Sequence, residues 1–249
     1  MGERAHLTAC LAACAPRPRA VVVGNVLQPN ASVMARIGQL LAGVPETVPL
    51  ATVNRQCSSG LQAVMDVISA VAHGTYEIGI GAGVESMSCN SMTEPTPPDV
   101  AYDALSDVPA ARDCLVPMGV TSENVAEKYG VDRAAQDAFA VSSHARAAAA
   151  AASGAYAAEI VGVPVVVKAE DGSERAGLVD KDDGVRAGTT LEALAKLKPA
   201  FKKGGSTTAG NSSQVWPGVR ECVCMAASFA NAYSYGPRRS RMCIRIDRR

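Results

Sequence analysis

Of the eight cysteines in this 249-residue chain, Cys57 stands in a segment whose residue types suit nucleophilic chemistry: Asn54-Arg-Gln-Cys-Ser-Ser-Gly60. The run Val48-Pro-Leu-Ala-Thr-Val53 before it has strand character, and the residues after it recur at helical spacing. Cys57 therefore falls where a strand ends and a helix begins. There the unpaired backbone N–H groups and the positive end of the helix dipole favour a thiolate, the form of cysteine that attacks carbonyl carbon. Gly60 is read as allowing close backbone approach, and Arg55 as a solvated surface charge. The other cysteines, at 10, 14, 89, 114, 222, 224 and 243, have no small-scaffold spacing and read mostly as buried hydrophobes in a reducing compartment.

The elements that must position Cys57 are legible as alternating strands and helices. Residues 20–27 form a short β-branched strand that ends at Gln28-Pro29-Asn30, with Ser32 placed to cap the next helix. In that helix Val33, Ile37, Leu40 and Leu41 share one face up to Gly43. Beyond Cys57, the residues Leu61, Val64, Met65, Val67, Ile68 and Val71 mark a helix that stops at His73-Gly74, and residues 76–84 return to strand. The alternation specifies an α/β layer with buried, largely parallel strands. Residues 90–110 read as loop. Ser122 opens a new helix, and Asp132 with Gln136 suggests a capping box for the Ala-rich helix that ends at Gly154. Residues 160–167 read as an edge strand interrupted by Pro164, and 171–188 as polar loop.

Hydrophobic residues at 48% and charged residues at 19% describe a globular chain able to bury a core. Basic and acidic residues number 24 each, so the whole molecule offers no field for nucleic acid or an anionic membrane. Residues 216–249 are the exception, with seven Arg and two acids. No run approaches the roughly 18–20 apolar residues of a membrane span, and Pro16-Arg-Pro-Arg19 stands where a signal peptide would be cleaved. The chain is therefore expected to be neither secreted nor membrane-spanning.

The segment Val53-Asn-Arg-Gln-Cys-Ser-Ser-Gly-Leu-Gln-Ala-Val64 resembles the acyl-accepting cysteine segment of the thiolase family, especially its peroxisomal 3-ketoacyl-CoA branch. Further motifs follow the family's order and spacing: Val23-Gly-Asn-Val-Leu-Gln-Pro29, Gly83-Val-Glu-Ser-Met-Ser88, Thr121-Ser-Glu-Asn-Val-Ala126, Leu197-Lys-Pro-Ala-Phe201 and Thr208-Ala-Gly-Asn-Ser-Ser213. The resemblance spans about residues 20–215. It implies a thiolase-like N-terminal domain, a mixed, mostly parallel sheet with helices on both faces, with a loop excursion that holds coenzyme A. It also implies thiolysis of a 3-ketoacyl-CoA, or the reverse condensation, through an acyl group on Cys57. Met118 matches a residue beside the acyl pocket, Arg186 one near the adenine nucleotide, and Ala209 and Ser213 contacts along pantetheine. Coenzyme A enters as substrate, with no permanently bound cofactor and no metal. A homodimer and a peroxisomal location are implied by the branch, with mitochondrial or cytosolic locations as alternatives.

The family's activating histidine and second cysteine belong to a later domain. His6, His73 and His144 stand outside the family's Gly-His-Pro context and read as surface or helix-end residues, and Cys222-Val-Cys224 lacks the second cysteine's pattern. The expected organisation is an atypical segment over 1–19, a partial N-terminal domain over 20–117 and 206–215, the excursion over 118–205, and a non-homologous basic tail over 216–249. The tail reads as the product of an altered frame or transcript end. The family's first strand and its last one, after residue 215, are expected to be missing, leaving an incomplete sheet and an impaired enzyme. A non-catalytic remnant that binds coenzyme A or pairs with a thiolase subunit is the alternative reading, and RNA binding by the Arg tail the third. Lys196, Lys198, Lys202 and Lys203 read as a solvated face.

Overall fold

The computed structural model describes residues 18–87, 90, 101–168, 172–213, 219–227 and 245–248. The chain divides into two compact units, residues 1–92 with 157–182 and 216–249, and residues 93–156 with 183–215. The reading of residues 1–19 as an atypical segment falls, for residues 1–17 and His6 with them, outside the described residues.

The first unit is built on the strand β1 (Val21–Gly24), the helix α1 (Ala31–Leu41), β2 (Leu50–Val53), α2 (Ser59–Ala72) and β3 (Ile78–Ser86). The valines of β1 explain its central place. Val21 and Val23 pack with Val44, Val48 and Ile80 on one side, and Val22 packs with Ala63 and Val67 of α2 on the other. A strand buried on both faces must be apolar at every position, which the sequence of β1 satisfies. α1 covers the first face through Ala35, while Gln39, buried, donates to the Val48 carbonyl at 3.1 Å. Val33, Ile37, Leu40 and Leu41 point outward instead of to the sheet. The face toward the sheet is taken by small and hydrogen-bonding residues that let the helix lie close. Ser32 is not the cap either, because the helix begins one residue earlier, behind Asn30 in the left-handed conformation.

β1 is parallel to β2 and to β3, with Val21 opposite both Leu50 and Ile80. Both edges of β1 are therefore paired, which serves its backbone groups. On the far side of β3 lies β6 (Val219–Ala227), antiparallel along nine residue pairs, and then β7 (Arg245–Arg248), giving the order β2-β1-β3-β6-β7. Residues 219–227, inside the segment read as a basic tail, thus form a strand along β3. Their run of Val, Cys and Met suits a strand, and β3 offers an edge that needs a partner. A separate hairpin pairs β4 (Val163–Lys168) with β5 (Glu174–Val179), so part of the expected 171–188 loop is strand. Its alternation is too polar to announce burial, and ladder hydrogen bonding to β4 makes it a strand.

Helix α2 lies unusually close to the sheet. A Cβ on Gly24 would stand 2.5 Å from the carbonyl carbon and oxygen of Ser59, and one on Gly81 would stand 2.8 Å from Val64 Cα. The close approach is thus bought by glycines of the sheet, while Gly60 itself has open space where a Cβ would go, contrary to its reading from sequence.

Gly81→Ala is expected to lower the unfolding free energy by about 1–3 kcal/mol, because backbone rather than a flexible tip must move. Gly38→Ala in α1, where an added Cβ meets nothing within 4 Å, is expected to be neutral or stabilising. Denaturant unfolding of both variants checks the contrast.

Candidate active site

Cys57 occupies a five-residue turn, residues 54–58, between β2 and α2 and is exposed. Gln56, immediately before it, has φ 49°, a left-handed conformation that costs a residue with a Cβ on the order of 1 kcal/mol. Hydrogen bonds hold it there. Asn54 Oδ1 accepts from the Gln56 N–H at 3.0 Å, and Ser59 Oγ accepts from the Arg55 N–H at 2.9 Å while donating to the Gln56 carbonyl at 2.6 Å. The Ser58 N–H closes the turn onto the Arg55 carbonyl at 3.1 Å. Ser59, buried, is therefore the pin of the turn, and α2 begins at it. Arg55 is exposed as expected, its guanidinium donating to Gln62 Oε1 at 2.8 Å.

The turn is also tied to the ends of β1 and β3. Asn54 Nδ2 donates to the Val26 carbonyl at 3.2 Å. The Val26 and Leu27 N–H groups donate to the Glu85 carboxylate at 2.9 and 3.3 Å, and Asn25 Nδ2 donates to the Val84 carbonyl at 2.6 Å. Asn25 Oδ1 accepts from the Gln28 N–H at 2.9 Å. Reasoning from sequence did not single out Asn25, Asn54 or Glu85. For Asn25 and Asn54 the available signal was a polar residue directly after an apolar strand; Glu85 lies inside β3.

Met118, Arg186, Ala209 and Ser213 belong to the second unit, and all four are exposed. That unit has the short helices α3 (Tyr102–Asp107) and α4 (Pro109–Arg112), so the expected loop over 90–110 is helical in its described C-terminal part. Pro109 at the first position of α4, with no N–H to lose, starts that helix. Its long helices are α5 (Met118–Tyr129) and α6 (Arg133–Ala152), followed by the short α7 (Leu191–Ala195). α5 starts at Met118 behind Pro117, four residues before Ser122; Ser122 lies inside the helix and its hydroxyl meets that of Thr207 at 2.9 Å. Asp132 caps α6 by accepting from the Ala135 N–H at 2.7 Å. Gln136 does not return to the cap N–H. It stands one position too far along and donates to the Val131 carbonyl and Ser206 Oγ.

Two buried carboxylates hold the segment that carries Ala209 and Ser213. Glu123 accepts from the Ser206 and Thr207 N–H groups at 2.9 and 2.7 Å, and from Ser206 Oγ. The Ser206 amide foremost, opposed by burial and aided by Thr207, keeps this carboxyl below its ordinary pKa. Asp137 pairs with Arg133 at 2.8 Å and accepts from Asn211 Nδ2 at 2.9 Å. Asn211 Oδ1 in turn accepts from the Thr208 N–H at 2.7 Å, folding the Thr208–Ser213 motif on itself. Arg186 donates its backbone N–H to His144 Nδ1 at 3.2 Å, so His144 serves in mid-helix rather than at a helix end; His73 closes the end of α2. Lys202, exposed as expected, pairs with Glu127 at 2.6 Å, which raises the ammonium pKa and lowers that of the carboxyl. Both groups are exposed, so the pair contributes little to stability.

The first unit thus carries an exposed cysteine on a hydrogen-bonded strand-to-helix turn of a mixed α/β sheet. The model for the thiolase N-terminal domain matches residues 14–228. The chain belongs to the thiolase family. It is 54% identical over 200 residues to the peroxisomal 3-ketoacyl-CoA thiolase A of Rattus norvegicus, covering 80% of this chain and 45% of that protein. The chain thus spans about half the length of the curated relatives it matches. The crystal structure of the dimeric peroxisomal thiolase of Saccharomyces cerevisiae superimposes with a TM-score of 0.77 at 34% identity, covering 93% of this chain and 58% of that one. Human mitochondrial 3-ketoacyl-CoA thiolase in complex with CoA gives 0.68 at 27% identity, covering 93% and 59%.

Because the Glu123 pKa is lowered on folding, its contribution is present above the ordinary carboxyl range and is lost as pH falls through the depressed folded value. Protection of the Ser206 and Thr207 amides from hydrogen exchange is expected to collapse in that acid window. Glu123→Gln is expected to lose it already at neutral pH, at a cost of about 1–3 kcal/mol.

Proposed function

We propose that this chain performs the covalent half of a 3-ketoacyl-CoA thiolase reaction of the fatty-acid β-oxidation type. Cys57 Sγ, as thiolate, attacks the 3-keto carbon, and the C2–C3 bond breaks with its electron pair leaving on the acetyl-CoA carbon, which takes up a proton. The shortened acyl group stays on sulfur as a thioester. The thiol of a second coenzyme A then removes it, returning the thiolate. Thioester exchange of this kind needs no resident cofactor, and coenzyme A takes part only as substrate.

The observation that carries the reading is an exposed Cys57 on a turn held by Ser59 and Asn54, inside a match to the thiolase N-terminal domain. We assign coenzyme A contacts to Arg186, Ala209 and Ser213, and Met118 to the side of the acyl pocket. The fold of the Thr208–Ser213 motif around Asn211 supports this assignment by fixing the backbone that bears Ala209 and Ser213. We assign a peroxisomal location and a homodimer by likeness to the peroxisomal rat thiolase and the dimeric yeast one.

Incubation with a 3-ketoacyl-CoA, followed by peptide mass spectrometry, is expected to find the acyl adduct on the Cys57 peptide and none in Cys57→Ser. Folded wild-type protein without the adduct would overturn the reading, and calorimetric binding of coenzyme A in that case would favour a non-catalytic binding role.

A further inference from the structure

Glu85 bonds neither Cys57 nor its turn directly, yet a chain of hydrogen bonds connects them. Its carboxylate takes two consecutive backbone N–H groups, those of Val26 and Leu27, at 2.9 and 3.3 Å. Those residues follow β1 and have left its ladder, so no strand supplies their partners. The Val26 carbonyl, oriented by that capture, accepts from Asn54 Nδ2 at 3.2 Å. The same Asn54 amide places its oxygen at 3.0 Å from the Gln56 N–H. Gln56 is the residue with φ 49° that precedes the nucleophile. Asn54 is thus a two-ended strut, and its one amide cannot satisfy both ends if the Val26 carbonyl turns away.

We propose that Glu85 is a positioning residue for Cys57, acting through the Val26–Leu27 backbone and Asn54 to hold Gln56 in its left-handed conformation. The proposal rests on Cys57 being the acyl-accepting group. A carboxylate suits the task better than a neutral amide. It accepts on both oxygens, and its charge strengthens each bond about twofold over a neutral pair. An amide in its place keeps one acceptor and offers a donor to N–H groups that need none. Asn25, which donates to the Val84 carbonyl and accepts from the Gln28 N–H, keeps the backbone on either side of the pair in register.

The test compares the full chain with Glu85→Gln, Glu85→Ala, Asn54→Ala and the Glu85→Gln/Asn54→Ala double variant. A 3-ketoacyl-CoA is the acylating substrate, and iodoacetamide is the small probe. The maximal rate of Cys57 acylation is expected to fall about tenfold in Glu85→Ala and less in Glu85→Gln, because misplacement of a reacting group is felt in the rate. The half-saturating substrate concentration is expected to stay unchanged. Amide exchange at Gln56, which Glu85 does not touch, is expected to speed up. Alkylation of the exposed Cys114 serves as the internal control and is expected to stay constant. The double variant is expected to lose no more than the worse of its two singles, since both act along one path.

An acylation rate unchanged in folded Glu85→Gln and Glu85→Ala would overturn the proposal, as would fully additive losses or a change in half-saturation alone. If Glu85→Ala fails to fold, Glu85→Gln decides by itself. Should wild-type Cys57 take no acyl group, the proposed function falls. The iodoacetamide rate at Cys57 and exchange at Gln56 then still decide whether Glu85 governs the turn, unchanged values overturning it.

Discussion

The approach of α2 to the sheet is the constraint on which the first unit depends. The helix sits with its first peptide groups against Gly24 and its second turn against Gly81, at distances no side chain would permit. Burial of Ala63 and Val67 against Val22 supplies the apolar attraction, and the small residues let the backbones come within its reach. Once α2 is seated, the position of its first residue, Ser59, is settled, and the turn before it has little freedom left. Cys57 on that turn inherits its placement from the helix–sheet contact rather than from its own packing, since it is exposed.

That placement is reinforced by polar groups standing where regular structure runs out. β1 ends at Gly24 and β2 at Val53, and each leaves backbone donors and acceptors that the ladder no longer serves. Asn25, Asn54, Ser59 and Glu85 take those groups up. Three motifs that lie far apart in sequence, around residues 25, 54 and 85, therefore meet as one hydrogen-bonded structure. The left-handed Gln56 is tolerable because this structure over-determines it, which is the usual condition for strain to persist near a reactive group.

The strands and helices of the first unit were legible because their apolar periodicity is direct: Val21 to Val23 announces a strand buried on both faces, and residues 61–71 announce a helix. The direction of α1 was not. Its larger apolar residues point outward because the inner face is set by close approach, which favours Ala35 and Gln39 over Ile37 and Leu41. β5 was missed for a related reason: an exposed hairpin strand carries no burial pattern, and its ladder to β4 is invisible in single-residue composition. The place of Cys57 between a strand and a helix was legible from its neighbours, whereas the bonds of Glu85 were not. Its role consists of accepting from backbone groups, and a backbone donor leaves no trace in the identity of the residue that bears it.

The second unit applies the same physics to a different end. Around residues 206–211 the backbone is neither helix nor strand, so its N–H groups must find other acceptors if the segment is to be buried. Glu123 and Asn211 provide them, and Asp137 fixes Asn211 in turn. Gly205 is required beside this arrangement, since a Cβ there would stand 2.5 Å from a Glu123 oxygen. A carboxylate buried among amide donors is stable only as a complete set, because losing one partner leaves a charge without compensation in a poor solvent for it. The motif Thr208-Ala-Gly-Asn-Ser-Ser213 is therefore best understood as a rigid backbone support. Ala209 and Ser213 stay exposed on it, while Asn211 bonds the Thr208 N–H and the Ser206 carbonyl.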